Sequence, residues 1–347
     1  MTLRFTPLTA IFAAGNRAMV KMSENSRHLA RLLIENMPAY FPPEKLQFFD
    51  ETGGVGVEFS KLPFDHLLFT GSGATGRAVM AAAAQNLCPV TLELGGKAPA
   101  VVCDDFPLAT AAERILFVKC LNAGQICTTV DHVFVPRAQV DAFAKLAAQI
   151  VPRRYPRLDS PDYTSIVDQR SFDRLVGAMD DARSRGATLI NLINDGPAHD
   201  RASRKIAPHV VLNAPWDSEL LTREIFGPIL PVVAYDTLDD VIARINSGPR
   251  PLALYPFSHD SARIERLLTH VMSGGVSIND ALFHVGQHDL PFGGIGDSGM
   301  GHYHGREGFE SFSKLRPGFH QGRLSSVGLL APPYGRLAER MLAFLMR

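Results

Sequence analysis

The sequence has little cysteine, no excess of either charge and no long apolar run. Its four cysteines, Cys88, Cys103, Cys120 and Cys127, form no C-x-x-C pair, which argues against a structural zinc site or a redox dithiol. Scattered thiols are typical of a reducing compartment, so we expect a cytoplasmic location. Lysine plus arginine and aspartate plus glutamate each total 35, and this balance argues against a nucleic-acid partner.

Neither membrane insertion nor secretion is predicted. No uncharged apolar run reaches the roughly 18 residues of a membrane span. Residues 1–7 lack the apolar core and cleavage site of a signal peptide. The segment 336–346 mixes leucines with arginines and is too short to span a bilayer. It predicts a packing helix, with weak contact to a membrane surface or a partner as the alternative.

Apolar residues are plentiful, at 46% of 347, and this supports the cores of about two domains. Short apolar runs predict strands at residues 18–21, 46–49, 67–69, 100–103, 133–135, 229–235, 252–257 and 275–278. Helical periodicity predicts helices at residues 7–15, 25–37, 77–86, 108–120, 139–150 and 172–185. Strands that alternate with helices predict an α/β fold with a parallel sheet, and a change of domain is expected near residue 96.

The glycine motif Gly71-x-Gly73-x-x-Gly76 follows a predicted strand and opens a predicted helix. In that context glycines let the backbone approach the pyrophosphate of a dinucleotide at a positive helix end. An ordinary strand-to-helix turn gives the same pattern. The ribose-binding acid of such a fold lies about 20 residues after the motif, a spacing that Glu93 fits.

Two further residues have the chemistry of a catalytic site. Glu93 precedes two glycines and Lys97 at the predicted domain change, where a crevice can form. The alternative is a solvated loop acid. Cys127 follows a glycine-containing turn that can hold a thiol exposed as a nucleophile. Its alternative is a small buried apolar residue.

Four histidines, His284, His288, His302 and His304, are close in sequence. The i,i+4 spacing of the first two would suit a metal site on a helix. Their segment has little helical periodicity, however, so a structural or surface role is predicted and no metal is expected.

Taken together, the motifs resemble those of the aldehyde dehydrogenase superfamily. The resemblance rests on Ala14-Gly-Asn-Arg17, Lys21-Met-Ser-Glu24, Phe69-Thr-Gly-Ser72, Pro89-Val-Thr-Leu-Glu-Leu-Gly-Gly-Lys97, Asn122-Ala-Gly-Gln-Ile-Cys127, Glu224-Ile-Phe-Gly-Pro228 and Pro291-Phe-Gly-Gly294. Similarity to the branch of coniferyl aldehyde dehydrogenases and their class 3 relatives rests on Pro63-Phe-Asp-His66, Pro251-Leu-Ala-Leu-Tyr255, Gly299-Met-Gly-His-Tyr-His-Gly305 and Pro332-Pro-Tyr-Gly335.

The resemblance implies how the catalytic residues act. Cys127 matches the nucleophile that attacks the aldehyde carbonyl. Glu93 matches the general base that activates water to hydrolyse the thioester, and activation of the thiol before attack is a second role open to it. A thiolate is both a good nucleophile and a good leaving group for this chemistry. A carboxylate in a partly dry crevice can have a pKa raised towards neutrality, which suits a base. The resemblance therefore overrides the spacing argument that makes Glu93 a ribose ligand.

The resemblance also implies where NAD, or NADP, binds. Lys21 and Glu24 match the ribose-contacting positions, and Glu24 favours NAD because it would repel a 2′-phosphate. Gly71, Ser72 and Gly76 belong to the turn beside the pyrophosphate. Further matches are Glu224, to the residue that holds the nicotinamide ribose, Phe226, to one that packs near the nicotinamide, and Asn279, to a strand that lines the substrate funnel.

The expected organisation is a Rossmann-like NAD(P)-binding domain at 1–95, a catalytic domain at 96–295 and a C-terminal segment at 296–347 for the return to the cofactor domain and oligomerisation. The chain opens with a predicted helix rather than a strand, so we expect an N-terminally truncated cofactor domain. The family's Pro-Trp-Asn motif, whose Asn belongs to the oxyanion hole, is expected upstream of residue 1. The resemblance implies a homodimer for the full-length form.

The expected function is NAD(P)-dependent oxidation of an aldehyde to its acid, with coniferyl or a related aromatic aldehyde as the substrate. One alternative is a fatty or other hydrophobic aldehyde. Another, of a different class, is a catalytically impaired remnant that at most binds a partner or nucleotide. Intact Glu93, Cys127, Lys21 and Glu24 argue against that last alternative.

Overall fold

The computed structural model describes residues 2–50, 55–193, 196–325 and 327–346. The chain divides into two compact units, residues 1–312 and residues 313–347. In the second unit, a 3₁₀ helix at Val327–Leu330 precedes a helix at Arg336–Leu345, where the sequence predicts one. Among the described residues, no helix is both long and apolar enough to cross a lipid bilayer.

The first unit begins with two small sheets and their helices. The elements are α1 (Thr2–Ala13), β1 (Ala18–Lys21), α2 (Arg27–Asn36), β2 (Leu46–Phe49), α3 (Val55–Ser60), β3 (Leu67–Gly71), α4 (Gly73–Ala84) and β4 (Val90–Leu94). Strands β1 and β2 form a parallel pair, and β3 pairs in parallel with β4. Buried residues of α1, α2, β1 and β2, among them Leu8, Leu33 and Phe48, share one small core.

The middle of the chain forms the larger part of the fold. Its elements are β5 (Pro99–Val102), α5 (Leu108–Cys120), β6 (His132–Pro136), α6 (Val140–Arg154), α7 (Gln169–Ser184), β7 (Thr188–Asn191), β8 (His199–Asp200), β9 (Lys205–Ile206), β10 (His209–Leu212), α8 (Glu219–Thr222), β11 (Ile229–Tyr235), α9 (Leu238–Asn246), β12 (Ala253–Phe257), α10 (Ser261–His270) and β13 (Gly275–Val276). Then β14 (Gly299–Met300) and α11 (Gly305–Ser311) complete the unit.

A seven-stranded sheet organises this part, in the order β13-β12-β5-β6-β11-β10-β7. Every pair is parallel except β7 with β10. Ala100 and Val102 face a core that includes residues of α5 and α6, whereas Val101 faces a core that includes residues of α9 and α10. Coverage on both faces explains why these strands are continuous apolar runs rather than alternating ones. The predicted α/β fold is confirmed.

Four sheets are present among the described residues, and apart from the antiparallel pair β8–β9 they use different parts of the chain. The large sheet uses residues 99–276, and the other two use residues 18–94 together with β14, which pairs antiparallel with β4. This division lies close to the domain change expected near residue 96. The boundaries 1–95, 96–295 and 296–347 stay a prediction.

Two sequence-based expectations differ from the structure near the glycine motif. Helix α4 begins at Gly73 rather than at residue 77, because the Ser72 hydroxyl accepts a hydrogen bond from Thr75 N and so caps the helix four residues earlier. Glu93 lies inside a paired strand, so its interpretation as a solvated loop acid is wrong.

Candidate active site

Glu93 occupies the middle strand of the three-stranded sheet. It pairs with Thr70 of β3 on one side and with Gly299 of β14 on the other. Only 3% of the residue is exposed, and neither carboxylate oxygen has a hydrogen-bond partner within the described residues. Burial raises its pKa to about 9. With this pKa the group is mostly protonated near neutral pH and can take a proton from a reacting group only in its carboxylate form, whose two oxygens lack a partner in the described part of the chain that would compete for that proton.

Cys127 follows a turn with an unusual backbone. Asn122, Ala123 and Gly124 all have positive φ, at 52°, 50° and 72°. The thiol is half-buried, whereas the other three cysteines are buried, and it packs against a small cluster that includes Phe292. Burial, followed by the negative charges of Glu224 and Glu93, raises the pKa of the Cys127 thiol to about 12. The thiol therefore needs a proton acceptor to become a nucleophile.

Glu93 and Glu224 are close enough to Cys127 for their charges to affect it. Glu224 and Glu93 both act on the thiol of Cys127. Tyr303 belongs to the apolar cluster that Cys127 contacts. Its pKa is raised by burial first and then by the charges of Glu93 and Cys127. The structure thus brings together the predicted nucleophile, the predicted base and one predicted cofactor ligand, and it adds a tyrosine that sequence reasoning missed.

Glu224 lies against the glycine pair that follows Glu93. A Cβ at Gly95 would stand 1.8 Å from the Oε2 atom of Glu224, so this position has no space for a side chain. Burial first, and then the charge of Asp131, raises the pKa of Glu224 to about 7, while a hydrogen bond from Gly96 N acts in the opposite direction. The glycines of the Glu93–Lys97 motif therefore create the space that Glu224 occupies.

A buried group of charges supports the segment that carries Glu224. The ammonium of Lys97 donates to the carboxylate of Asp131, to Leu220 O at 3.0 Å and to Arg223 O at 3.1 Å. The other oxygen of Asp131 accepts a hydrogen bond from Ile225 N at 2.9 Å. These bonds hold the chain on both sides of Glu224.

Lys119, in the last turn of α5, is a second buried lysine. Only 1% of the residue is exposed, and its Nζ has no hydrogen-bond partner within the described part of the chain. Burial, which the charge of Asp131 opposes, lowers its pKa to about 8. Sequence reasoning missed Lys119 and Asp131. The signal for the lysine is its spacing, three and four residues after buried Leu116 and Ile115, which puts it on the buried face of the helix.

The glycine turn between β3 and α4 suits a phosphate group. The first amides of a helix have no partner inside the helix, and their positive end attracts anions. Ser72 caps this end, and Gly71 has no side chain to cover it. Gly76 acts differently, since a Cβ there would stand 2.6 Å from Leu94 Cδ2, so this glycine lets α4 pack close to β4. The turn fits a diphosphate-containing cofactor.

The remaining predicted cofactor residues lie at two other places. Lys21 ends β1 and donates to Met22 O at 2.8 Å, and Glu24 is exposed in the 3₁₀ helix that follows. Lys21 is on the small β1–β2 sheet and Glu24 follows it by three residues, whereas Glu93 is on a different sheet. Phe226 follows Glu224 by two residues and has a φ of 48°. None of these placements tests the contacts that the sequence predicts.

Asn279 and the histidines have structural contacts. The Oδ1 atom of Asn279 accepts from Ser258 N at 2.8 Å, so its amide is used inside the fold. His284 bonds Ser277 Oγ through Nδ1 at 2.9 Å, and His288 packs edge-on against His304. Within the described ranges, no group of three or more histidine, cysteine or carboxylate residues can hold a metal ion.

Comparison with known proteins agrees with this geometry. The model of the aldehyde dehydrogenase family matches residues 1–317. A probable coniferyl aldehyde dehydrogenase of Pseudomonas aeruginosa is 48% identical over 341 residues, which are 98% of this chain and 71% of that protein. The coniferyl aldehyde dehydrogenase of a Pseudomonas species is 44% identical over 350 residues, or 100% of this chain and 73% of the relative.

Solved structures give the same result. The substrate-bound AldH of Staphylococcus aureus superposes with a TM-score of 0.90 at 36% identity, covering 99% of this chain and 74% of that one. An aldehyde dehydrogenase of Mycobacterium tuberculosis in complex with NAD+ has a TM-score of 0.81 at 27% identity, covering 91% of this chain and 67% of that one. The resemblance inferred from the sequence motifs is confirmed, and the chain belongs to the aldehyde dehydrogenase family.

Proposed function

We propose that this protein oxidises an aldehyde to its carboxylic acid with NAD(P)+, through a covalent intermediate on Cys127. The observation that carries the proposal is the pairing of a half-buried thiol with a buried carboxyl group, Glu93, whose oxygens have no hydrogen-bond partner within the described residues. The coniferyl aldehyde dehydrogenases among the relatives support an aromatic propenal as the substrate.

The first step forms a bond between Cys127 and the substrate. The thiol gives up its proton, and its sulfur attacks the carbonyl carbon to form a hemithioacetal. Glu93, in its carboxylate form, is the nearby group that accepts that proton, and burial makes this carboxylate a stronger base by raising its pKa to about 9. Bound NAD(P)+ supplies a hydride acceptor, so that the acyl group is left on Cys127 as a thioester.

The second step releases the acid. Glu93 first releases to solvent the proton taken from the thiol, and its carboxylate then accepts a proton from the attacking water. The water oxygen bonds to the thioester carbon, the bond from that carbon to the sulfur of Cys127 breaks, and the leaving thiolate takes the proton back from Glu93. Buried Tyr303 packs in the apolar cluster that Cys127 contacts, and burial first, then the charge of Glu93, raises its pKa. The alternation of Glu93 between its acid and carboxylate forms is the proton chemistry that the two steps need.

The cofactor is held, in this proposal, at three places. The first turn of α4 with Gly71 and Ser72 binds the diphosphate, Lys21 and Glu24 bind the adenosine ribose, and Glu224 binds the nicotinamide ribose. Gly76 permits the close packing of α4 that shapes the turn, and Phe226 packs beside the nicotinamide. The exposed carboxylate of Glu24 would repel a 2′-phosphate, so NAD+ is the preferred form.

Two wider properties belong to the same proposal. The four free thiols suit a reducing compartment, which supports a cytoplasmic location. We also propose that the protein is a homodimer, which light scattering on the purified protein tests directly.

The test is production of NADH or NADPH with coniferyl aldehyde and with decanal, each with NAD+ and with NADP+. We expect coniferyl aldehyde with NAD+ to give the highest kcat/KM, and the variant Cys127→Ser to give no reduced cofactor. If decanal exceeds coniferyl aldehyde in kcat/KM by about tenfold, the substrate is a fatty or other hydrophobic aldehyde.

A cofactor-independent measurement decides whether the chain is a catalytic protein or a remnant. Cys127 is half-buried and has Glu93 as a proton acceptor, so in a catalytic protein it reacts with iodoacetamide faster than the buried Cys88, Cys103 and Cys120 near neutral pH. Equal alkylation rates at the four thiols, together with no reduced cofactor from any pairing, would show that the chain is not a catalytic protein.

A further inference from the structure

The turn before Cys127 stores backbone strain. Asn122, Ala123 and Gly124 form three consecutive residues in the left-handed region, and only the glycine adopts it without a steric cost. The space at Gly124 is also closed, because a Cβ there would stand 2.3 Å from Gly227 O. Such a conformation persists only where the surrounding structure holds it in place.

The side chain of Gln125 supplies that hold. It is buried, and all of its polar groups are used. Its Nε2 donates to Asn122 O and to Ser165 O, both at 3.0 Å, and its Oε1 accepts from Val167 N at 2.8 Å. In return, Asn122 Nδ2 donates to Gln125 O at 3.0 Å. The amide thus joins the strained turn to residues 165–168, which we call the bracket loop.

The bracket loop is anchored at points independent of Gln125. Ile166 N donates to Arg204 O at 2.8 Å, and Arg204 Nε donates back to Ile166 O at 3.2 Å. Asp168 caps α7 through a bond from Ser171 N at 2.7 Å and accepts from Asn25 Nδ2 at 3.2 Å. Asn25 follows Glu24, so the loop reaches from the proposed ribose segment to the turn of the nucleophile.

We propose that Gln125 is a positioning residue, which fixes the Asn122–Gly124 turn against the bracket loop and so sets the half-buried position of Cys127. The proposal deepens the proposed function and rests on it for the role of Cys127. Without the amide, the strained turn relaxes, and Cys127 moves away from the oxygens of Glu93 and towards water.

The test is Gln125→Met, which keeps the length of the side chain and removes its hydrogen bonds. We expect two opposite effects. The kcat falls by about 100-fold with a KM for the aldehyde within about threefold of the parent value, since a shift of about 1 Å costs that much in rate. The alkylation of Cys127 by iodoacetamide accelerates by about tenfold, because the thiol leaves the environment that raises its pKa.

The matched control is Gln139→Met, in the 3₁₀ helix before α6 and outside this network, which we expect to match the parent in both measurements. The variant Gln125→Glu adds a pH-dependent measurement, which a general destabilisation of the fold does not predict. The protonated carboxyl group of Glu at this position can donate to Asn122 O as the amide does. The ratio of the alkylation rate of Cys127 in this variant to that in the parent therefore falls as the pH falls.

The alkylation result is independent of dehydrogenase activity and therefore separates this proposal from the proposed function. Equal alkylation of Cys127 in Gln125→Met and the parent would overturn the proposal. So would a rise at all four cysteines together, since that result means that Gln125 supports the whole fold. Mass mapping of the four labelled peptides distinguishes these outcomes.

Discussion

Gly95 lies so close to Glu224 that a Cβ at position 95 would stand 1.8 Å from Oε2 and 2.5 Å from the carboxylate carbon. The residue that precedes this glycine, Leu94, ends the strand that carries Glu93. Gly95 therefore lies between the proposed base, Glu93, and the proposed nicotinamide-ribose ligand, Glu224. A side chain at this position displaces Glu224 and leaves the residue type at position 93 unchanged.

The variant Gly95→Ala tests this arrangement. The methyl group forces the carboxylate of Glu224 out of its position, so we expect the KM for NAD+ to rise and kcat to fall, with kcat/KM lower by about 100-fold. The steady-state kinetics with varied NAD+ measure both effects. Gly177→Ala, in the open interior of α7, is the control and leaves the kinetics unchanged. Parent-like kinetics in Gly95→Ala would show that Glu224 does not hold the cofactor.

The variant Glu93→Gln separates the two chemical steps. The amide cannot accept a proton from water, so we expect kcat to fall by about 100-fold to about 10,000-fold. Because Glu93 serves both steps in the proposed mechanism, stopped-flow mixing shows which step the amide slows more: a burst of reduced cofactor that approaches one per Cys127 means that the thioester accumulates and that hydrolysis is the slower step. The exposed Glu265→Gln is the control and keeps the parent rate. Loss of the burst would assign Glu93 to deprotonation of the thiol before attack.

The pH dependence of kcat, compared between the parent and Glu93→Gln, gives a second measurement of the role of Glu93. Hydrolysis needs the carboxylate form of Glu93, and burial raises the pKa of this group to about 9. The kcat of the parent should therefore rise with pH up to about pH 9, while the residual kcat of Glu93→Gln lacks this titration. A parent profile that levels off near the usual range of a carboxyl group would contradict the burial of Glu93.

Sequence patterns predicted the parts of the fold that local chemistry determines. The helix at Leu108–Cys120 and the strand at Ile229–Tyr235 have the predicted bounds, because each is a long apolar segment between clear breaks. Strand β4 was not predicted. Its pairing partner β14 is distant in sequence, and such long-range pairing leaves no periodic signal. Helices α9 and α10 were also missed, although Thr237 and Asp260 cap them.

The site shows the same difference between local motifs and tertiary placement. Cys127, Glu93 and Glu224 were identified from motifs, but the motifs do not reveal that a single site encloses them with Tyr303. The buried Lys119 and Asp131 were missed because charged residues are ordinarily exposed, and only the folded core shows that they are not. The strained turn at Asn122 depends on the contacts of Gln125, which lie in a loop 40 residues away.

A further prediction concerns the stability of the fold at the glycine motif. In Gly76→Ala, the new methyl group would stand 2.6 Å from Leu94 Cδ2, so α4 must move away from β4. We expect a loss of about 1–3 kcal/mol in the free energy of unfolding, measured by urea denaturation. The same substitution at Gly177 meets open space in a helix and should gain about 0.4–1 kcal/mol. Equal effects at the two glycines would contradict the close packing of α4.

The last prediction concerns the buried pair of Lys97 and Asp131. Burial raises the pKa of Asp131, but the ammonium of Lys97, the imidazole of His132 and the charge of Lys119 together more than offset this effect and leave the pKa far below its usual range. The pair therefore stabilises the fold above the pKa of an unfolded aspartate, and this contribution is lost as the pH falls through the folded pKa. Lys97→Met leaves a buried carboxylate without its main partner, which costs about 3–5 kcal/mol near neutral pH.

Two further variants make this prediction specific. In Lys97→Met, the pKa of Asp131 rises, so the carboxyl group is protonated at mildly acidic pH and the difference in unfolding free energy from the parent shrinks there. The double variant Lys97→Met/Asp131→Asn removes the buried charge and should recover much of the loss at neutral pH. Arg77→Met breaks an exposed pair with Asp297 and should cost less than about 1 kcal/mol. A loss in Lys97→Met that stays constant with pH and persists in the double variant would mean that the lysine acts through its bonds to Leu220 O and Arg223 O rather than through charge.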